Sequence, residues 1–428
     1  MSSMRIFTKK QYDYSAFNIH SVLLFDIYDL SIILCIIILT VSPILDYCGV
    51  GIFSYADEIV AIIIVFSSLF SSRIQRSEIE RVGIICIYFC CIIGIVGNIF
   101  HAYQRNNFAI AVDAFTCLKM FAVFFAARRL FFGKHNLLDL IAKFAKLFIF
   151  VSFACYLIHL LGFVSMGGDR NVLGIPSFQF LYGHPTEFAA YLVGFATILL
   201  SKRGNYVWIF LCAILLLATQ RSKAVAMSAV LIALAFYNLF KRANKRPPFI
   251  VVVLIFASII LIGMDQISYY YGNSSSARTL LSQVSFNVAN SLFPIGAGFA
   301  TYGTFMSGSS YSSLYYQYHL SSIYGLTPDN PIFVSDCFWP AVFAQFGYLG
   351  FVIIVLLIVS LFTVFYSKSK CNHILFSARI CIPLYLLIAS SSESAFFNFY
   401  GVFYAILMAI LSTNFAEIGN RVNHAITI

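Results

Sequence analysis

AVFAQFGYLGFVIIVLLIVSLFTVF, residues 341–365, decides the fold class, because it runs for 25 residues without a charge. As an α-helix rising about 1.5 Å per residue it reaches roughly 38 Å, more than the roughly 30 Å hydrocarbon thickness of a bilayer. A second uncharged run, 249–264, reads the same way. Neither alternates polar with apolar residues, which excludes the strands of an outer-membrane barrel. The whole chain follows these runs: of 428 residues 61% are hydrophobic and 10% charged, and the mean hydropathy is +0.88. A soluble core needs far less apolar material. The predicted fold class is therefore all-α, a polytopic transmembrane helical bundle forming one integral membrane domain over 1–428.

Apolar runs between charged punctuation mark about 12 spans, at 27–45, 53–71, 82–100, 109–127, 144–164, 187–201, 205–219, 224–240, 248–264, 338–366, 374–390 and 398–414. With the N-terminus in the cytoplasm, the connections on that side carry most of the cations. They hold Arg5, Lys9 and Lys10; Arg73, Arg76 and Arg81; Arg128, Arg129 and Lys134; Lys202 and Arg203; Lys241, Arg242, Lys245 and Arg246; and Lys368 and Lys370. This is the positive-inside pattern, and it fixes the orientation. The net charge of +10 is thus an orientation signal spread over many short loops. It forms no basic face, and no nucleic-acid partner is expected. The first apolar run follows about 25 polar residues and lacks a small-residue cleavage site, so it is expected to be a retained span. The eleven cysteines fall mostly inside spans without metal-ligand spacing, and they read as core thiols. Cys48 and Cys337 both face outward in this topology, but no disulfide is expected between them.

Two outward connections are too long to be simple turns. One is 164–186, with Asp169, Arg170 and His184. The other, 265–335, is rich in Gly, Ser and Tyr and is expected to be a large, partly helical loop. It holds Tyr302, Arg278, His319, Asp265 and Asp329.

Arg170, Arg221 and Arg278 stand apart from the topogenic cations because they lie on the outward side. A guanidinium offers a rigid donor fork that binds phosphate bidentately and keeps its charge when partly desolvated. Lys223 follows Arg221 by two residues, so two cations share one helix end and call for an anionic partner, a role a lipid diphosphate fills. Snorkelling to headgroups or pairing with acids such as Asp169 is the alternative. No Asp-x-Asp pair and no His/Asp/Glu cluster with metal spacing is present, so neither a metal nor another cofactor is expected. Arginine would then stabilise a departing diphosphate. Asp336, His184, Glu187, His319 and Glu393 are candidates for a base that accepts a hydroxyl proton. Each could equally cap a helix or balance a cation. Tyr302 and its neighbours could stack on sugar rings, as interfacial tyrosines could merely belong to an aromatic belt. Gly296, Gly298 and Gly303 resemble a phosphate loop, but no strand precedes them and no Lys-Ser/Thr pair follows. Lys119 and Arg379 fall inside spans with no partner evident from sequence.

The order of four segments resembles the O-antigen polymerase and ligase superfamily. They are Gly183-His-Pro-Thr-Glu-Phe-Ala189, Ala218-Thr-Gln-Arg-Ser-Lys-Ala224, Ser276-Ala-Arg278 with Phe293-Pro-Ile-Gly-Ala-Gly-Phe299, and Asp336 eleven residues before Gly347-Tyr-Leu-Gly350. The resemblance runs over 165–355 and rests on order and spacing. It implies a glycosyltransferase of the bacterial inner (cytoplasmic) membrane, active on the periplasmic side, that uses undecaprenyl-diphosphate-linked oligosaccharides. Arg221, Arg278 and Asp336 then match the family's Ser/Gly-Arg position, the arginine opening the large loop and the position before the Gly-x-x-Gly turn. Ligases place a His-Asn pair where this chain has Asp336-Cys337, which favours a polymerase of O-antigen or capsule repeats. Some polymerases carry two loops with an arginine eleven residues before a glycine, whereas here Arg170 leads to Leu181 and Arg278 to Ala289. The expected partners are the lipid-linked oligosaccharide, membrane lipids and a chain-length regulator. Two alternatives stand beside this: a ligase that attaches finished glycan, and a flippase or secondary transporter working through Asp26, Asp29, Asp57, Glu58 and Asp113.

Overall fold

The computed structural model describes residues 19–71, 76–131, 137–172, 174–242, 276–366 and 373–413, and they are mostly helical. The expected span 248–264 lies outside them, as do loop residues 265–275 with Asp265, Tyr269, Tyr270 and Tyr271. So do the expected cytoplasmic cations Arg5, Lys9, Lys10, Arg73, Lys134, Lys245, Arg246, Lys368 and Lys370.

In chain order come α1 (Ile19–Tyr47), α2 (Ala56–Leu69), α3 (Glu78–His101), α4 (Asn107–Leu130), α5 (Leu137–Leu160), a hairpin of β1 (Gly167–Val172) and β2 (Ile175–Phe178), α6 (Pro185–Leu200), α7 (Tyr206–Ala218) and α8 (Ser222–Arg242). Then α9 (Ala277–Ser291) and the short α10 (Phe305–Ser309) and α11 (Ser313–Gln317) build the large loop. The bundle closes with α12 (Phe338–Tyr366), α13 (His373–Ala389) and α14 (Tyr400–Thr413).

Seven of these segments are long and apolar enough to cross a membrane: α1, α2 with the 3-10 turn before it, α3, α4, α5, α8 and α12. The expectation of about 12 is thus met only in part among the described residues, because α6, α7, α13 and α14 are apolar but shorter. For α6 the reason is burial. Every residue of α6 except Glu187 is buried by neighbouring protein, and a helix so enclosed need not match the lipid thickness. The hairpin is a second departure, since all-α patterning leaves no place for strands. Its antiparallel register runs from Gly167 opposite Phe178 to Val172 opposite Ile175. Cys48 and Cys337 are free thiols.

α3 packs along α12, α14 along α4, and α9 along α12. Where basic connections were expected, charged residues brace adjacent helix ends. Arg128 Nη1 lies 2.7 Å from Glu80 Oε1, joining the end of α4 to the start of α3, and Lys202 pairs with Asp139 across α6 and α5. Arg379 finds its partner in the core: its Nη2 donates to Leu411 O at 2.9 Å, and its guanidinium lies 5.6 Å from the Phe365 ring centroid.

One contact ties the large loop into the bundle. α12 breaks at Gly347, whose φ of 64° and ψ of −165° are open to glycine and leave the preceding carbonyls without helical donors. Segment 293–303 supplies the missing groups. Ala297 N donates to Ala344 O at 2.8 Å, Gly298 N to Gln345 O at 2.9 Å, and Leu349 N donates back to Pro294 O at 3.1 Å. From the other side, the Asn98 side chain on α3 donates to Phe299 O at 2.9 Å and accepts from Phe299 N at 2.8 Å. Such close backbone approach needs glycine: a Cβ at Gly296 would sit 2.5 Å from Ala344 O, and one at Gly298 2.4 Å from Asn98 N. The glycines that resemble a phosphate loop are packing glycines.

Candidate active site

The loop, the hairpin and several helix ends enclose one partly open cavity of about 1830 Å³. Arg170, His184, Glu187, Arg221, Lys223, Arg278, Asp336 and Glu393 all line it, although the chain separates them by up to 223 residues. Tyr302 and His319 do not. Tyr302 is fully buried under the loop, where its hydroxyl donates to Leu281 O at 2.8 Å and its ring stacks on Tyr315 at 5.4 Å. It belongs to the loop's own small core, with Tyr315, Leu314 and Leu320. His319 is exposed on an outer turn, in the left-handed region at φ 57°.

The cations enter on helix N-termini. Arg221 immediately precedes α8, and Lys223 is its second residue; Arg278 is the second residue of α9, whose Ser276 cap accepts from Thr279 N at 3.2 Å. The N-terminal end of a helix already carries partial positive charge, so cations there are disfavoured unless anions answer them. Carboxylates do so here. Lys223 Nζ lies 2.7 Å from Glu393 Oε1, which also accepts from Tyr400 OH at 2.7 Å. Arg278 Nη2 lies 2.9 Å from Asp336 Oδ2. Arg170 is carried in by the hairpin, and its Nη1 donates to Gln220 O at 3.2 Å, latching β1 to the α7–α8 turn beside Arg221. The Gln220 amide returns a bond to Ile175 O at 2.7 Å.

His184 caps α6: its Nδ1 accepts from Thr186 N at 3.2 Å, and Pro185 supplies the first turn with a residue that needs no donor partner. In the neutral ring the proton is then on Nε2. Glu187 sits in the same first turn. Burial pushes the Asp336 carboxyl above its ordinary range, and the Arg278 and Lys223 charges pull it back only partly.

Four charged residues that sequence reasoning set aside for a transporter, or left unassigned, line the same cavity: Asp57, Glu58, Asp113 and Lys119. Lys119 Nζ is 2.5 Å from both Asp57 Oδ2 and Glu58 Oε1. Asp113 Oδ2 accepts from Ala300 N at 2.6 Å and from the Gln345 amide at 3.0 Å. Gln345, a lone amide in the uncharged run of α12, also donates to Tyr302 O at 2.9 Å. Its position in that run was the available signal. No group of three or more His, Cys, Asp or Glu side chains among the described residues could hold a metal ion.

Carboxylates outnumber Lys and Arg side chains along the wall. The arrangement can bind a polyanion at the α8–α9 end only by displacing Glu393 and Asp336, and it offers those same carboxylates as proton acceptors. No known protein family's sequence profile and no curated protein matches this chain.

Proposed function

We propose that the chain is a membrane-embedded glycosyltransferase that polymerises undecaprenyl-diphosphate-linked oligosaccharide repeats of an O-antigen or capsule. In this reading it crosses the bacterial inner membrane about 12 times, and the cavity opens to the periplasm. The observation that carries it is the meeting of Arg170, Arg221, Lys223 and Arg278 at the N-terminal ends of α8 and α9, each of the latter two paired with a carboxylate. The helix ends and loops that make the cavity wall are those that the positive-inside pattern leaves outside. The order of motifs over 165–355 supports the same reading.

In the proposed reaction the diphosphate of the donor lipid takes over the arginines. Asp336 accepts the proton of an acceptor hydroxyl, and that oxygen bonds to the anomeric carbon of the donor sugar. The bond from that carbon to the diphosphate oxygen breaks, and the charge that develops on the leaving group is held by Arg221, Lys223 and Arg278. No metal is invoked, since the fixed cations supply the countercharge. A chain-length regulator and membrane lipids are the proposed partners.

The test is the surface-glycan ladder of cells lacking the gene and then complemented. Collapse to core plus one repeat, reversed by wild type and not by Arg278→Ala, is the expected result. Long lipid-linked polymer left unattached would mean a ligase. A second reading, a flippase or secondary transporter, draws support from the Lys119, Asp57 and Glu58 cluster, which lies about 18 Å along α4 from its start. Accumulation of single repeats on the cytoplasmic face would favour it.

A further inference from the structure

The cavity wall also carries charges that the proposed transfer does not use. Asp57 and Glu58 stand in the first turn of α2, and Lys119 reaches them from α4; all three line the cavity. Their side chains are 5%, 21% and 3% exposed, and Lys119 Nζ lies 2.5 Å from both Asp57 Oδ2 and Glu58 Oε1. With each group in its usual ionised state, two negative charges face one positive charge in a nearly dry site. The partial positive charge of the α2 N-terminus answers only part of that excess. The oxygens show the same shortfall. Glu58 Oε2 is buried without a hydrogen-bond donor among the described residues, and Asp57 Oδ2 meets Lys119 as an ion pair without a hydrogen bond. Yet the two carboxyls stand within hydrogen-bonding reach of each other. Ionised carboxylates only accept, so that contact requires a proton on one of them.

The elements around the pair do not supply the missing donor. α6 brings Tyr191 near Asp57, but its hydroxyl donates to Leu39 O at 2.7 Å. On α14, Tyr404 donates to Ala190 O and Tyr400 to Glu393, each at 2.7 Å. On α4, the Cys117 thiol lies 3.9 Å from Asp113, which takes its own donors from Ala300 N and Gln345. Asp46, at the end of α1, borders the same cavity and adds only negative charge. A metal ion does not fit, since Lys119 already occupies the point between the carboxyls and no third acidic, His or Cys ligand joins them among the described residues. We propose that Asp57 and Glu58 share one bound proton beside Lys119, and that this proton exchanges with the solvent of the cavity. One ammonium, one carboxylate and one carboxylic acid then sum to zero charge, and the proton is the donor that the oxygens lack. Because Glu58 reaches the wall, the stored proton opens to the same cavity as Asp336. The inference does not depend on which reaction the cavity performs.

The test is infrared spectroscopy of the purified full chain in detergent at neutral pH, read at the C=O stretch of protonated carboxyls. Wild type is expected to show this band and to shift it on transfer to D2O. Asp57→Asn and Glu58→Gln should each lose the intensity of one carboxyl, because the amide supplies the donor in place of the proton and leaves the remaining carboxylate ionised beside Lys119. Difference spectra against wild type cancel the other carboxyls. Glu58→Gln, at the more exposed of the two positions, carries the test if Asp57→Asn does not fold. A wild-type spectrum without the band, or a band that survives intact in Glu58→Gln, overturns the shared proton. A Glu58-dependent band that does not move in D2O overturns its exchange with the cavity. Stabilisation of wild type by sodium ions, with no protonated-carboxyl band, also overturns the proposal by placing a metal cation where the proton is expected.

Discussion

Arg278 and Asp336 face each other at 2.9 Å across the cavity mouth, and each is a test of the site. If the guanidinium stabilises a departing diphosphate, Arg278→Ala and Arg221→Ala should each lower chain lengthening by about 10²–10³-fold with the protein still inserted, read from the glycan ladder and membrane immunoblots. Arg278→Lys should recover little, because an ammonium cannot reproduce a bidentate fork. Asp336 predicts a pH signature. Its carboxyl lies above the ordinary Asp value of about 3.9 because burial disfavours the charge. A base must be deprotonated, so polymerisation in vitro should fall on acidification, with a midpoint above that value, and Asp336→Asn should abolish activity at every pH. Stability runs the other way. A group that holds its proton more tightly when folded contributes stability at low pH and loses that contribution as pH rises through its folded-state value. The Asp336→Asn variant should therefore lose the part of the stability slope that this carboxyl supplies. Much of this pole was legible in the sequence because Arg170, Arg221 and Arg278 violate a charge rule that most of the other cations obey. That Tyr302 and His319 lie off the cavity wall was not legible, because a tyrosine in a polar loop carries no mark of whether it faces a cavity or, as here, a satellite core.

The element that joins the loop to the bundle is the 293–303 segment seated against the break in α12. A side chain at Gly298 would need φ near 94° and would press 2.4 Å from Asn98 N. Gly298→Ala should thus destabilise the chain by about 1–3 kcal/mol, lower its thermal midpoint in detergent and shorten the glycan ladder even though Gly298 touches no proposed substrate group. Gln345→Leu should act similarly through a different cause. It removes the donor shared by Asp113, Tyr302 O and Thr304, at a cost of about 1–3 kcal/mol for the acceptors left buried. Apolar runs showed where most of these helices lie. They did not show the Gly347 break, because glycine is ordinary in an apolar helix and the donors that compensate it come from about fifty residues earlier in the chain. They also missed the Gly167–Phe178 hairpin, a polar stretch whose strand pairing has no apolar alternation to announce it.

At the scale of the molecule, charge and cavity divide the bundle into two ends. Reporter fusions test that division: alkaline phosphatase joined after residue 220 or 330 should be active, and after residue 203 inactive, in the proposed orientation. The same activity at all three junctions would remove the topology on which the outward cavity depends. Distance along the chain hid in the sequence that Lys119 meets Asp57 and Glu58. Lys119→Met should destabilise the fold by about 3–5 kcal/mol by leaving the buried Asp57 and half-buried Glu58 carboxylates uncompensated, with part of the loss restored by adding Asp57→Asn. The paired cations at the other pole have a further consequence in the proposed reaction. With no substrate bound, Arg278 and Lys223 are engaged by the chain's own carboxylates, so the catalyst is self-inhibited at rest. An arriving diphosphate that captures Arg278 withdraws the charge that restrains Asp336, and the carboxylate becomes a stronger proton acceptor at that moment. Water alone triggers no such exchange, so the base is armed only once a donor diphosphate occupies the site.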